Sequence, residues 1–141
     1  MPVTRGRLGA MTKTIRQTVI ISASPKATYA ALIQEKRHTA FTGVKAKIAP
    51  KVGGAFMCYD RYISGYTLDL VPAKRIVQAW RSQGWPAGTY SLVTFALAKA
   101  AGGKTRLTFT QIGVPASDYK AKNAGWRSHY WQRLKAYLEK R

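Results

Sequence analysis

The C-terminal segment DYKAKNAGWRSHYWQRLKAYLEKR, from Asp118 to Arg141, constrains the fold more than any other stretch of the chain. Trp126, Tyr130, Leu134 and Tyr137 recur at spacings of four, four and three, with Trp131 and Leu138 beside the stripe, the pattern of an amphipathic helix. Asp118 is placed to cap it and Gly125 to interrupt it softly. At about 1.5 Å per residue, the part from Asp118 to Lys140 extends roughly 34 Å. A helix that long, with one heavy aromatic face, needs a broad apolar surface to lie on.

The preceding sequence supplies a sheet. KTIRQTVIISASP alternates as a strand, with Ile15, Gln17, Val19 and Ile21 on one side. Ser24 and Pro25 then read as the N-cap and first residue of a helix through KATYAALIQ. EKRHTAFTG reads as a second short helix stopped at Gly43. From Val44 to Ile112 the chain is strand and turn, with strands at VKAKIA, GAFMCY, YISGYTLDLV, RIVQAW, YSLVTFAL and KTRLTFTQI. Turns fall at Gly53-Gly54, Pro72-Ala73, Pro86-Ala87-Gly88 and Gly102-Gly103. This order predicts an α+β domain in which a curved antiparallel sheet of about seven strands wraps the last helix.

The 141 residues fit one domain, and 46% hydrophobic content is enough for a core. Residues 1–13 are expected to be a flexible basic extension, with Met11 as a second candidate start, and 14–141 a single domain. No apolar run approaches the roughly 20 residues that span a bilayer, and MPVTRGRLGAMTK lacks the apolar centre of a secretory signal. Cys58 stands alone and cannot form an intramolecular disulfide, which points to a reducing cytoplasm. The 24 Lys and Arg against 5 Asp and Glu give a net charge of +19. Such a surface attracts anionic partners. The basic residues are nevertheless scattered from Arg5 to Arg141 rather than gathered in a stripe, which argues against nucleic acid as the partner.

The stock of groups for acid–base chemistry is small: Glu35, Asp60, Asp69, Asp118, Glu139, His38 and His129. Asp118 reads as a helix cap, Glu139 lies near a helix end, Glu35 opens a surface helix, and Asp60 beside Arg61 reads as a surface ion pair. No nucleophile elbow, phosphate-cradling loop or metal-ligand spacing is present. The expectation is a non-enzymatic protein with no catalytic residue, no metal and no cofactor.

ISGYTLDLVPAKRIVQAWRSQGWPAGTYSLVTFAL, followed by LTFTQIGVP and GWRSHYWQRLKAYLE, resembles the C-terminal domain of the Aha1 family, the activators of the Hsp90 ATPase. The resemblance runs roughly from Thr14 to Glu139 and is strongest from Ile63 onward. It implies the helix-grip fold of START and Bet v 1-like domains. It also implies an Hsp90-type chaperone as partner. Full-length members carry a separate N-terminal domain associated with stimulating the ATPase, for which 141 residues leave no room. The implied role is therefore at most that of the part that docks on the chaperone.

Two faces follow as candidates. Helix-grip domains often enclose an apolar cavity, which would take a small hydrophobic ligand. Strand alternation points Phe56, Cys58, Trp80, Val93, Phe95, Leu107 and Phe109 toward it, with Gln111 as a polar point and Trp126 and Tyr130 from the helix. The alternative is that these side chains simply fill the space. Trp85 sits in a turn, and if exposed it would be a candidate anchor for a partner, with Lys74, Arg75 and Arg81 around it to meet acidic residues.

Overall fold

The computed structural model of the chain describes residues 11–139. Strand β1 (Thr12–Ile21) leads to helices α1 (Pro25–Ile33) and α2 (Glu35–Thr42). Six strands follow: β2 (Lys47–Ile48), β3 (Ala55–Cys58), β4 (Ile63–Val71), β5 (Arg75–Ser82), β6 (Ser91–Ala100) and β7 (Lys104–Pro115). The long helix then runs as α3 (Tyr119–Gly125), a π-helical turn (Trp126–Trp131) and α4 (Gln132–Glu139) without leaving helical backbone. All strands join one antiparallel sheet in the order β1-β7-β6-β5-β4-β3-β2. The chain returns from β7 beside its own first strand, and the long helix lies across the concave side.

Local chemistry explains the elements. Ser24 accepts a hydrogen bond from the Ala27 amide, and Pro25 opens α1 where an amide hydrogen would have no partner. Gly43 ends α2 at φ 76°, the left-handed conformation glycine adopts without steric cost. In β1, Ile15, Gln17 and Ile21 are buried as the alternation requires, while Arg16 and Thr18 face outward. The extension expected over residues 1–13 lies outside the described residues as far as residue 10. Its last two positions belong to β1, because Thr12 pairs with Pro115 and the Met11 carbonyl accepts from the Ala116 amide. The first of the six expected strands, VKAKIA, is reduced to Lys47–Ile48, paired with Met57 and Phe56.

The core lies between the sheet and the long helix. Ile15, Phe95, Phe109, Trp126, Trp131 and Leu134 form its centre, with Phe41 and Ile33 closing it from the α1–α2 side. One glycine is obligatory. Gly65 on β4 pairs with Trp80 on one side and Phe56 on the other. A Cβ there would lie 1.8 Å from the Ala79 carbonyl oxygen and 2.8 Å from Phe56 Cζ. Gly65→Ala therefore cannot be absorbed by a rotamer change, and the expected loss is about 3 kcal/mol or more, read as a fall in the urea midpoint.

Candidate functional site

Four tryptophans dominate the concave side, and three of their N–H groups fix the long helix to the sheet. Trp126 Nε1 donates to Gln111 Oε1 at 2.8 Å, and Gln111 Nε2 donates to Ser91 Oγ at 2.9 Å. Trp131 Nε1 donates to Gln17 Oε1 at 2.7 Å, and Gln17 Nε2 returns to the Asn123 carbonyl oxygen and Oδ1. Trp85 Nε1 donates to Asp118 Oδ2 at 2.8 Å. The π turn makes the first two possible together. In an α-helix, residues five apart point about 140° away from each other. The wider turn stacks Trp126 and Trp131 instead, at 5.5 Å and 23°.

The side chains expected around a cavity are buried among one another, and three of them, Trp80, Trp126 and Tyr130, also border open space. Phe56, Cys58, Trp80, Val93, Phe95, Phe109, Trp126 and Tyr130 are all buried, and so is Leu107. Phe109 and Trp126 lie with ring centroids 4.2 Å apart, and Phe95 meets Phe109 at 5.4 Å. Gln111 is no open polar point; it is fully buried with both ends of its amide engaged. Open volume exists beside this interior. A cleft of about 480 Å³ lies between the long helix and the β3–β4 loop. Trp80, Trp126 and Tyr130 form its inner wall, and Tyr59, Tyr62, Lys122 and His129 its rim. No sequence signal marked Tyr59, Tyr62 or Lys122. The first belongs to a loop in which Tyr59, Asp60 and Arg61 all take left-handed φ (51°, 53° and 78°), a run that residues with a Cβ rarely adopt.

Trp85 is 7% exposed and packs against Trp80 at 5.7 Å between centroids. The exposed anchor expected in the turn is therefore corrected: Trp85 points inward, drawn by Trp80 on one side and the Asp118 carboxylate on the other. Arg81 holds it there, donating to the carbonyl oxygens of Trp85 and Pro86 at 2.6 and 3.1 Å and lying over the Tyr90 ring at 5.9 Å. Asp118 is likewise not the side-chain cap expected of it; its carboxylate takes Trp85 and the Lys122 ammonium, the latter at 2.8 Å. Arg75 pairs with Asp69 at 2.8 Å, both about half exposed, and Lys74 is exposed beside it. The surface pair expected of Asp60 and Arg61 does not form, and Asp69–Arg75 and Asp118–Lys122 are the carboxylate ion pairs among the described residues. Glu35 instead accepts from the Ile48 amide, and Glu139 from the Ser22 amide.

Cys58 faces His38 Nε2 at 3.6 Å, and Tyr130 Oη lies 3.3 Å from the same nitrogen. Burial pushes the Cys58 thiol up to about 12, so it is a protonated packing residue at neutral pH. Burial lowers His38 to about 4, and its Nδ1 has no hydrogen-bond partner among the described residues. Among those residues no group of His, Cys, Asp and Glu is placed to hold a metal ion, and no helix is long and apolar enough to cross a membrane.

On the convex side, Tyr66, Ala79, Leu92 and Ile112 form one cross-strand row over β4, β5, β6 and β7. Tyr66, Leu92 and Ile112 are 49%, 40% and 50% exposed, and Tyr90 leans on Tyr66 at 6.4 Å. Arg75 and Arg81 extend from the same face of β5.

A curved antiparallel sheet closed on a C-terminal helix, with two short helices after the first strand, defines the helix-grip class. The sequence profile described as "Activator of Hsp90 ATPase homolog 1-like protein" matches residues 22–139, and the chain belongs to that family. It is 31% identical over 122 residues to the human "Activator of 90 kDa heat shock protein ATPase homolog 1", covering 86% of this chain and 35% of the relative. The Dictyostelium discoideum homologue is 28% identical over 124 residues, covering 88% of this chain and 32% of its own length. This chain thus spans about a third of the curated relatives it matches. The crystal structure of an HSP90 activator from Plasmodium falciparum superposes with a TM-score of 0.83 at 23% identity, covering 89% of this chain and 96% of that one.

Two outcomes follow. Trp85→Ala should destabilise the fold by about 3–5 kcal/mol in urea unfolding, as expected for a buried indole; a loss below about 1 kcal/mol would place the ring at the surface. His38 sets a pH dependence. The unfolded chain binds its proton near 6.5, whereas the folded chain resists until about 4. Its contribution is whole above pH 6.5, shrinks as the pH falls toward 4, and shrinks no further below; the full swing is about 3 kcal/mol. Unfolding measured across that window should show the slope in the wild type and a flatter one in His38→Gln.

Proposed function

We propose that this protein is a non-enzymatic, cytoplasmic, chaperone-associated module that docks on an Hsp90-type ATPase. The observation that carries this reading is the family match over residues 22–139, which includes strands β2 to β7 and the long helix. The relatives are described as activators of the Hsp90 ATPase. This chain spans about a third of their length, and docking is the part of their role proposed for it.

The convex face suits such docking better than the Trp85 turn. Protein interfaces combine an apolar centre with Tyr and Arg around it. The row Tyr66–Ala79–Leu92–Ile112 is that centre, and Arg75 and Arg81 flank Ala79 on the same face of β5, with Lys74 next to Arg75. A net charge of +19 favours an acidic partner and opposes a second copy of the chain.

A second reading, binding of a small apolar ligand, is favoured by the cleft of about 480 Å³, a size within the range of small-molecule sites. It can coexist with docking, because the cleft and the convex row lie on opposite sides of the sheet.

The docking reading is tested with purified Hsp90-type chaperone from the same host. Micromolar binding is expected at low salt. The double reversal Lys74→Glu/Arg75→Glu should weaken it at least severalfold and flatten its salt dependence, while Leu92→Asp should weaken it at every salt concentration. Absence of binding at low salt sinks the reading. Equal binding by wild type and both variants moves the contact elsewhere on the chain.

A further inference from the structure

We propose that the cleft between the long helix and the β3–β4 loop binds an uncharged, planar, fused-ring aromatic molecule; this rests on the ligand reading above and names its chemical class. The walls are rings rather than chains. Tyr59, Tyr62, Trp80, Trp126 and Tyr130 enclose the space, with the His129 imidazole at the rim. Rigid π faces select a flat occupant through offset stacking and edge-to-face contact. A flexible alkyl chain would find little aliphatic wall, since Ile63 and Ala121 supply it.

The charge of the occupant follows from Lys122. Its ammonium is held by Asp118 at 2.8 Å and donates to Tyr62 Oη at 3.1 Å. Two of its three donors are thereby engaged and its charge is already balanced. One N–H remains for a carbonyl or hydroxyl oxygen. An anionic ligand would set its own charge against Asp118 in a wall that is otherwise mostly apolar.

Two unusual stretches of backbone meet across this cleft. The left-handed run Tyr59–Arg61 lies on one side, and the π turn Trp126–Trp131 on the other. The Tyr59 hydroxyl donates to the His129 carbonyl oxygen and so ties them together. The Tyr62 amide donates back to the Tyr59 carbonyl oxygen at 3.1 Å, which sets both tyrosines on the rim. Left-handed runs in residues with a Cβ and single π turns both concentrate at binding and catalytic sites, where surrounding contacts hold them in place.

The four indole N–H signals of the full chain, labelled with ¹⁵N, report the site directly. Titration with 2-naphthol should move the Trp80 and Trp126 signals saturably and leave Trp131 nearly still. Gly125→Leu plugs the cleft without crowding the fold, because the new Cβ would meet only His129 Nδ1, at 3.9 Å. At least tenfold weaker binding is expected in that variant. Ala121→Phe serves as the plug if Gly125→Leu fails to fold. Unchanged affinity in a folded plugged variant overturns the site. Binding of 2-naphthoate as tight as that of 2-naphthol overturns the uncharged class. If 1-dodecanol binds in the cleft and 2-naphthol does not, the aromatic class falls while the ligand reading stands. If neither moves the signals, both fall.

Discussion

The pinning of tryptophan N–H groups by polar side chains of the sheet and helix is the interaction on which the rest of this structure depends. A long helix lying on an apolar concave sheet has many nearly equal positions along its axis, because dispersion contacts between rings and aliphatic chains are non-directional. Hydrogen bonds are directional. Gln111 accepts from Trp126 and Gln17 from Trp131, both inside the core, where a misplaced helix would leave two indole donors and two amides unpaired. Each orphaned group would cost about 1–3 kcal/mol. The Trp85–Asp118 bond fixes the start of the helix in the same way. The stripe of rings supplies most of the burial energy, and the two glutamines set where the helix stops.

That constraint also explains why the backbone departs from an α-helix at Trp126. To bring both indoles onto the sheet, one turn must widen, and it does so immediately after Gly125. The interior is then closed by the rings themselves, and open space is displaced to the side where the β3–β4 loop meets the helix. The widened turn follows from a helix held by its indoles rather than by its aliphatic stripe alone, and the Tyr59 hydroxyl ties the left-handed loop to that turn at His129, across the cleft.

Much of this architecture is written in local pattern. The alternation of Ile15, Gln17, Val19 and Ile21, the Ser24-Pro25 start and the Gly43 stop act within a few residues, and each appears where its own chemistry places it. The site was less legible. Spacing placed Trp131 beside the helical stripe, because a period of 3.6 assumes α-helix throughout; a π turn changes the period and leaves no mark except its small neighbour Gly125. Trp85 read as a surface residue because it sits in a turn, yet its direction is decided by Asp118, 33 positions away. Nothing in Tyr59-Asp60-Arg61 announces a left-handed run, since none is a glycine and the conformation is imposed by contacts distant in sequence.

The same reasoning bears on the cationic surface. With 24 basic residues against 5 acidic ones, and at least four of the carboxylates engaged by Ile48, Arg75, Lys122 with Trp85, and Ser22, most positive charge faces solvent unneutralised. A field of that kind accelerates encounter with any acidic surface, but beyond about 8 Å at physiological salt it is screened and carries little discrimination. Specificity must come from short-range shape. On the convex face that shape is the exposed row Tyr66–Ala79–Leu92–Ile112, whose aliphatic and tyrosyl groups gain nothing from a phosphate backbone and much from a desolvated protein surface. On the docking reading proposed above, charge draws an acidic partner toward the molecule and the row supplies the short-range selection.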